Sequence, residues 1–286
     1  MSPRILSGNT VRDSRLVELI KKFSEITPTP ELAIIQVGDR PDSAAYIKAK
    51  ISFAQKVGVV AHHIYLPENA SQEDIVIEIK KCNENKLIKG VIVQLPLPAH
   101  IDRDVVINTI DPHKDIDGQT AFNMQCLREG RPDAIVPATA RGIRELLSYY
   151  NIDINNKKVT VVGRSALVGT PVAQVFARYR AVVTVAHSKT IDLMKETSSA
   201  NVIIVAVGKP RLISTEHVRS GQVIVDVGIT REGEVGLDTK TKLVGDVDFD
   251  KVSKVIGSTG AITPVPGGVG PMTVLGLFEN LLDACK

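Results

Sequence analysis

The sequence predicts an α/β protein built from two lobes, and three observations lead to this fold class. Short apolar runs alternate with helical patterns throughout, which implies parallel strands joined by crossover helices. The polar turn Ile154-Asn-Asn-Lys157 separates two series of such runs. A glycine turn then opens the second series in the way that a nucleotide-binding βα unit begins.

The first lobe is predicted to contain three strands with helices between them. The strands are expected at Leu32–Val37, Val59–Leu66 and Gly90–Leu95, and the helices at Asp42–Val57, Ser71–Lys81 and Asp102–Thr109.

The second lobe follows a linking helix that is predicted at Arg141–Tyr150. Its strands are expected at Val159–Val162, Val182–Ala186, Val202–Val207, Val223–Val227 and Lys242–Val244. A last helix, near Met272–Ala284, comes late enough to return to the first lobe. We therefore expect one domain of residues 1–137 with 270–286 and a second, Rossmann-like domain of residues 138–269.

Composition limits the classes of function. Hydrophobic residues make up 43% of the 286 residues and charged residues 23%, as in an ordinary globular protein. The net charge of +3 is spread without a basic block, so nucleic-acid binding is not expected. No apolar run approaches membrane-spanning length, and the three cysteines are too far apart for a metal or disulfide motif. We expect a cytoplasmic protein that holds no metal and binds no membrane.

The segment Lys158–Pro171 has the pattern of a strand, a glycine turn and a helix start. Gly163 allows a tight turn, and Gly169 allows close packing at the helix N-terminus. Free N–H groups and the helix dipole favour an anion there. The spacing is Gly-x5-Gly and not the usual dinucleotide fingerprint, so an ordinary βα turn also fits the pattern.

The end of the next strand bears on the choice of cofactor. NAD-binding folds usually carry an acidic residue there to bind the ribose 2′-hydroxyl. This strand instead runs into His187-Ser188-Lys189, and Arg164 lies in the preceding turn. A guanidinium fork and a serine hydroxyl suit a 2′-phosphate, which favours NADP. Lys189 fits a solvated surface lysine equally well.

The segment Ile262–Thr273 packs three prolines and three glycines into twelve residues. Proline fixes φ and glycine leaves the backbone bare, so such a loop suits a main chain that lies against a flat ligand. An ordinary loop before a last helix is the alternative. If the last helix returns to the first lobe, the loop lies between domains, where ligands often bind.

Polar residues of the first lobe are candidates for chemistry. Tyr46 and Lys50 are four residues apart, which puts both on one helix face, and a lysine in an apolar cleft can relay protons. Gln94 ends a strand, and Asp117 precedes a glycine turn. Each also has an ordinary interpretation, as a surface lysine, a loop-capping amide or an Asx turn.

The chain shows no Ser-His-Asp or Cys-His arrangement. Hydride transfer from a carbon next to nitrogen fits that absence, because the nitrogen lone pair stabilises the cation and a nicotinamide carries the chemistry.

Taken together, the motifs resemble the bifunctional methylenetetrahydrofolate dehydrogenase/methenyltetrahydrofolate cyclohydrolase family. The resemblance follows the family's order over nearly the whole chain. The matching stretches are Tyr46-Ile-Lys-Ala-Lys50, Val93-Gln-Leu-Pro-Leu-Pro98, Lys114-Asp-Ile-Asp-Gly118, Val161–Pro171, His187–Thr190, Ala206-Val-Gly-Lys-Pro210, Asp226-Val-Gly-Ile229 and Val244-Gly-Asp-Val-Asp-Phe249.

The resemblance implies two reactions of tetrahydrofolate derivatives: oxidation of the methylene form by NADP⁺ and hydrolysis of the methenyl form. It implies that Lys50 handles the proton of the hydrolytic step, that Gln94 hydrogen-bonds it, that Tyr46 stacks on the substrate and that Asp117 holds the pterin amino edge. The residues matched to NADP contacts are Gly163, Arg164, Ser165, Ser188 and Ile229, and the backbone of Pro266, Gly267 and Gly268 is expected beside the folate. The family also implies a homodimer.

The sequence departs from the family pattern at two places. Gln119-Thr-Ala-Phe-Asn123 replaces the usual Phe-His-Pro-Tyr-Asn, and Pro137-Ala-Thr-Ala140 replaces Pro-Cys-Thr-Pro. A dehydrogenase with weak cyclohydrolase activity is therefore an alternative, and a non-catalytic folate or NADP binder is another. Retention of Lys50 and Gln94 argues against the binder, and Arg164 with Ser188 argues against NAD.

Overall fold

The computed structural model describes residues 2–232 and 242–286. Its strands are β1 (Arg4–Ile5), β2 (Glu31–Val37), β3 (Val60–Leu66), β4 (Ile88–Val93), β5 (Lys158–Val162), β6 (Val182–Ala186), β7 (Val202–Val205), β8 (Val223–Asp226), β9 (Thr230–Glu232), β10 (Lys242–Val244) and β11 (Ala261–Ile262). Its helices are α1 (Gly8–Ser24), α2 (Pro41–Val57), α3 (Gln72–Glu84), α4 (Arg103–Asn108), α5 (Ala121–Glu129), α6 (Ala138–Tyr149), α7 (Gly169–Arg178), α8 (Leu193–Ser198), α9 (Phe249–Ile256) and α10 (Val269–Ala284).

The described contacts divide the chain into two compact units. The three-stranded unit comprises Asp13–Ala138 and Val274–Lys286, and the six-stranded unit comprises Met1–Arg12 and Thr139–Thr273. Among the described residues, no helix is long and apolar enough to cross a bilayer.

The three-stranded unit has a parallel sheet in the order β3-β2-β4. The central strand β2 is buried on both faces, which is why Leu32–Ile35 reads as a continuous apolar run. Residues of β2 and β4 pack on one face against Ile75 of α3 and Val106 of α4. The chain winds first to β3 and then across to β4, so the carboxyl ends of β2 and β4 form the topological switch point. Gln94 lies there, and its N–H donates to the Ile35 carbonyl at 2.8 Å.

The six-stranded unit has a parallel sheet in the order β1-β11-β8-β7-β5-β6. The chain leaves β5 to form β6 on one side and then crosses to form β7 on the other. The switch point therefore lies at the carboxyl ends of β5 and β7, where ligands bind in doubly wound sheets. Ile224 and Ile262 of this sheet pack against Val252 and Ile256 of α9.

The predicted α/β class with parallel strands is confirmed, but several element boundaries differ. The strand expected at Gly90–Leu95 is β4, Ile88–Val93, which stops before the Leu95-Pro96 dipeptide. The strands expected to reach Val207 and Val227 end earlier, at Val205 and Asp226. The strand predicted at Lys242–Val244 exists, but it pairs antiparallel with β9 outside the six-stranded sheet.

The first residues of the chain differ most from expectation. They were predicted to belong with residues 1–137, yet β1 pairs with β11 in the sheet of the six-stranded unit. Both strands are only two residues long, which is too short to show the alternation of apolar and polar residues that predicts a strand. The helices α1 and α5 were also missed, because polar residues are frequent in both.

Candidate catalytic and nucleotide-binding sites

Lys50 and Gln94 form a buried hydrogen bond in the three-stranded unit. The Lys50 side chain leaves α2 and is 7% exposed. Its Nζ donates to the Gln94 Oε1 at 3.0 Å, while the Gln94 Nε2 donates to the Leu95 carbonyl at 2.7 Å. The second bond fixes the orientation of the amide, so that its oxygen, and not its NH₂ group, faces the lysine. The hydrogen bond that the family resemblance implies between these two residues is therefore present.

The electrostatic surroundings of Lys50 favour its neutral form. Burial lowers the pKa of Lys50, and the charge of Asp117 opposes that shift. Burial likewise raises the pKa of the half-buried Asp117, against the charges of Lys50 and Arg103. Burial thus disfavours both charged groups while their attraction favours both. This balance suits a site that takes up and releases a proton.

The two carboxylates of the Asp115-Ile-Asp117-Gly118 turn have different roles. Asp115 is fully buried and accepts hydrogen bonds from the Gln119 N–H at 3.1 Å, the Thr120 N–H at 2.8 Å and the Asn123 Nδ2 at 2.9 Å. Its burial outweighs these bonds and raises its pKa to about 6. The Asx-type structural role belongs to Asp115, which leaves the Asp117 carboxylate for a ligand.

Two asparagines hold this turn in place, and sequence reasoning missed both. The Asn123 Oδ1 accepts from the Ile135 N–H at 3.2 Å, while its Nδ2 also reaches the Pro112 carbonyl at 2.9 Å. The Asn280 Nδ2 donates to the Ile116 carbonyl at 2.7 Å and to the Val136 carbonyl at 2.9 Å. For Asn280, the sequence offered one signal: a polar amide within the apolar C-terminal helix α10 indicates a buried side chain that needs hydrogen-bond partners.

The residues that depart from the family pattern have local partners. The Gln119 Oε1 accepts from the Arg103 Nη2 at 3.1 Å, and the Thr120 hydroxyl accepts from the Asn123 N–H at 3.3 Å as the N-cap of α5. Tyr46 lies one turn before Lys50 on α2 and is 40% exposed, so part of its ring can stack on a ligand.

The nucleotide turn in the six-stranded unit needs its glycine. Gly163 has a φ of 122°, and a Cβ at this position would lie 2.3 Å from the Ala206 carbonyl oxygen. The Ser165 hydroxyl accepts from the N–H groups of Val168 and Gly169, at 3.2 and 3.3 Å, where α7 begins. Backbone and helix start therefore form a close-fitting turn at the carboxyl end of β5.

Arg164 and Ser188 follow neighbouring strands. The register of β5 and β6 places Val162 opposite Ala186, so the residues after each strand meet at one edge of the sheet. In the 187–190 turn, the His187 N–H donates to the Thr190 Oγ1 at 2.8 Å and the Lys189 N–H donates to the His187 Nδ1 at 3.1 Å. Arg164, Ser188 and Lys189 are all exposed and are therefore accessible to a phosphate group.

The Pro/Gly loop lies beside Ile229. A small groove is lined by Asp226, Val227, Ile229 and residues 264–270, which include Pro266, Gly267 and Gly268. The Gly267 carbonyl accepts from the N–H groups of Gly8 and Asn9 at 2.8 and 3.2 Å. A Cβ at Gly8 would lie 1.8 Å from the Gly268 oxygen, so the start of α1 packs directly on the loop backbone.

Comparison with known proteins identifies the family. The family model described as "Tetrahydrofolate dehydrogenase/cyclohydrolase, catalytic domain" matches residues 6–117, and the one described as "Tetrahydrofolate dehydrogenase/cyclohydrolase, NAD(P)-binding domain" matches residues 137–286. The chain belongs to the tetrahydrofolate dehydrogenase/cyclohydrolase family. The resemblance that its motifs indicated is thereby confirmed.

Relatives and solved structures agree over the full length. The bifunctional protein FolD of Geobacillus thermodenitrificans is 43% identical over 289 residues, which cover 100% of this chain and 98% of the relative. The structure of the bifunctional FolD enzyme of Campylobacter jejuni has a TM-score of 0.92 at 37% identity, covering 99% of both chains. The Trypanosoma brucei FolD structure, complexed with NADP cofactor and inhibitor, has a TM-score of 0.93 at 34% identity, covering 100% of this chain and 98% of that one.

Asp115→Asn tests the structural role of Asp115. Both carboxylate oxygens of Asp115 accept hydrogen bonds, so either orientation of an amide sets an NH₂ group against a donor. We expect a loss of about 1–3 kcal/mol in the free energy of unfolding at pH 7 and a lower Tm. Because the folded pKa of about 6 exceeds the unfolded value of 3.8, the wild-type protein should lose stability as pH rises between these values, a slope that the variant lacks.

Asp102→Asn is the matched control for this substitution. Asp102 uses a single oxygen, Oδ1, to cap α4, and asparagine supplies the same acceptor. Thermal unfolding should leave Asp102→Asn near the wild-type midpoint, and equal midpoints for the two variants would contradict the role assigned to Asp115.

Proposed function

We propose that this protein oxidises 5,10-methylenetetrahydrofolate with NADP⁺ and hydrolyses the resulting 5,10-methenyltetrahydrofolate to 10-formyltetrahydrofolate, in one-carbon metabolism. The observation that carries the proposal is the buried Lys50–Gln94 hydrogen bond beside Asp117 in a member of this family. The relatives named as bifunctional, and the related structure named as an NADP complex, support it.

The proposal divides the labour between two domains. The three-stranded unit binds the folate, and the six-stranded unit binds the cofactor. The Asp117 carboxylate accepts the paired N–H donors of the pterin amino edge, because its neighbour Asp115 already supports the turn. Tyr46 stacks on the ring system through its exposed face. The backbone of Pro266, Gly267 and Gly268 is assigned to the folate side.

In the dehydrogenase step, bound NADP⁺ supplies the hydride acceptor. The bond broken is a C–H bond of the methylene bridge, and the neighbouring nitrogen lone pairs stabilise the positive charge that remains. No protein base has to remove a proton. The protein's own contribution is therefore positioning: Gly163 lets its turn pack against the Ala206 carbonyl, and Arg164 and Ser188 are suited to the 2′-phosphate.

In the cyclohydrolase step, a proton must be handled. Water adds to the methenyl carbon and loses one proton, which leaves a hydroxyl group there. As one C–N bond of the ring breaks, the hydroxyl loses its proton and becomes the formyl C=O, the departing nitrogen gains a proton, and one proton is released overall. The Lys50 amine, whose pKa is lowered by burial, accepts the proton from water and returns a proton to the departing nitrogen. The Gln94 oxygen holds the amine in place at 3.0 Å throughout.

The second candidate is a dehydrogenase with weak cyclohydrolase activity. The replacement of the usual residues by Gln119-Thr120-Ala121 favours it, because the Arg103 guanidinium contacts Gln119 and acts on the charge of Asp117. The retained Lys50–Gln94 pair supports the bifunctional assignment over this one.

We also propose a cytoplasmic homodimer that pairs through the nucleotide-binding domains. The edge strand β6 supports this, since Val182 and Val185 are 56% and 39% exposed there. Light scattering should give twice the chain mass, and Val185→Lys should shift it towards the monomer. A monomeric wild-type protein, or a variant that stays dimeric, would contradict the pairing.

The two activities are tested together on one purified preparation. With methylenetetrahydrofolate and NADP⁺, we expect NADPH to form and methenyl absorbance to decay faster than in buffer. Lys50→Met should lower the rate of hydrolysis by about 100-fold or more, because it removes the proton-accepting group, and should lower hydride transfer less. Lys48→Met, on the exposed side of the same helix, is the control and should retain both rates.

Each contrary outcome removes a different part of the proposal. Absence of NADPH formation would sink the dehydrogenase assignment. Normal NADPH formation with methenyl decay no faster than in buffer would leave the second candidate. Equal hydrolysis by Lys50→Met and the wild type would refute the proton-handling role.

Arg164→Ala tests the preference for NADP. Loss of a charge-assisted hydrogen bond to the 2′-phosphate should raise the KM for NADP⁺ by about 10-fold or more, with little change in the KM for NAD⁺. Lys195→Ala removes an exposed charge from α8 in the same unit and should change neither value. An equal rise in the KM for both cofactors would show that Arg164 does not recognise the 2′-phosphate.

A further inference from the structure

Two buried aspartates of the six-stranded unit have no part in the proposed chemistry. Asp226 ends β8 and is 3% exposed, and Asp246 lies just after β10 and is fully buried. Buried carboxylates are costly unless the surrounding groups donate hydrogen bonds to them. The donors in this case are almost all backbone N–H groups of loops.

Asp226 joins two loops through three hydrogen bonds. Its Oδ1 accepts from the N–H groups of Gly228 and Asp246, both at 3.0 Å. Its Oδ2 accepts from the Val247 N–H at 2.9 Å. The loop that carries Ile229 is thereby tied to the segment that follows β10.

Asp246 extends the same network to a third loop. Its Oδ2 accepts from the N–H groups of Val207 and Gly208, at 2.7 and 2.9 Å, directly after β7. The motifs at 206–210, 226–229 and 244–249, in which the family resemblance assigned a role only to Ile229, are therefore one connected structure.

The two carboxylates pack closely against the backbone of two glycines. A Cβ at Gly228 would lie 2.3 Å from the Asp246 Oδ1, and a Cβ at Gly245 would lie 1.9 Å from the Asp226 Oδ2. The glycines therefore let each carboxylate touch the backbone of the loop that holds the other. A shift of either side chain must move the loops.

The Asp246 Oδ1 is distinctive, because it is buried and accepts no hydrogen bond from the described residues. Burial and the neighbouring Asp246 charge raise the pKa of Asp226 to about 7. Three of the four carboxylate oxygens hold loop backbone, and the fourth does not. This asymmetry makes the roles of the two residues separable by substitution.

We propose that Asp246, held by Asp226, is a positioning residue for NADP: it fixes the loop after β7 and the loop carrying Ile229 in the arrangement that binds the cofactor. The inference rests on the proposed cofactor site. Asp246 itself acts through the Val207 and Gly208 backbone and need not touch the ligand. The Ile229 loop is held through Asp226 by the same contacts.

Three substitutions test the proposal by calorimetric titration with NADP⁺. Asp246→Asn keeps an acceptor for Val207 and Gly208 and places its NH₂ group where Oδ1 has no partner, so the Kd should stay within about 3-fold of the wild-type value. Asp246→Leu keeps the branching of the side chain but is bulkier and has no acceptor, and its Kd should rise by about 10-fold or more. Asp226→Asn should weaken binding similarly, because each orientation of its amide opposes a backbone N–H.

Methenyl hydrolysis by the same preparations separates positioning from general damage, since that step uses no hydride acceptor. It should stay within about 2-fold of wild type in Asp246→Leu, while the dehydrogenase kcat/KM for NADP⁺ falls with the affinity. Asp250→Leu, an exposed position on α9, is the control and should alter neither. If Asp246→Leu does not fold, the same comparison of NADP⁺ binding with methenyl hydrolysis is made with Asp226→Asn, because asparagine has nearly the same shape as aspartate.

Equal Kd values for Asp246→Asn and Asp246→Leu would overturn the proposal, as would a parallel fall of both activities in Asp246→Leu. Failure of the wild-type protein to bind NADP⁺ would instead sink the cofactor assignment, which is a different result from binding without the contrast between the variants.

Discussion

The candidate site depends on the burial of one ammonium group at the carboxyl end of a parallel sheet. A buried charge is costly in a medium of low dielectric, and the protein offsets that cost for Lys50 in two ways. The Gln94 oxygen accepts a hydrogen bond from the amine, and Asp117 supplies an opposing charge. Neither removes the cost, so the pKa of the lysine falls. That residual penalty is useful, because it enlarges the fraction of Lys50 that is a neutral amine, and only the neutral amine can accept a proton.

Both units use buried carboxylates to hold loops whose backbone N–H groups are not paired with a neighbouring strand. In the three-stranded unit, Asp115 collects the N–H groups that follow the DG turn, which frees Asp117. In the six-stranded unit, Asp226 and Asp246 collect N–H groups at the carboxyl ends of two strands. The carboxyl ends of the strands are where a parallel sheet binds its ligands. They are also where the backbone N–H groups no longer have hydrogen-bond acceptors on a neighbouring strand. An acidic side chain satisfies these groups and still leaves the loops exposed to a ligand.

Local patterns predicted much of the fold and part of the site. The apolar runs predicted the parallel strands because buried strands are apolar on both faces, and the spacing of Tyr46 and Lys50 is a property of one helix. Contacts between segments that are far apart in the sequence could not be predicted from such local patterns. The pairing of β1 with β11 joins two-residue strands at opposite ends of the chain. Which aspartate of the DG turn is structural depends on Asn123, and the turn itself depends on Asn280.

The central claim is that Lys50 titrates below an ordinary lysine while the protein is folded. The direct measurement is a pH titration of the side-chain amine resonances of protein labelled with ¹⁵N-lysine, with Lys50→Met used to assign the Lys50 signal. We expect a Lys50 midpoint below the ordinary value of 10.5. A Lys50 signal that titrates at or above that value would show that burial does not lower the pKa of this lysine.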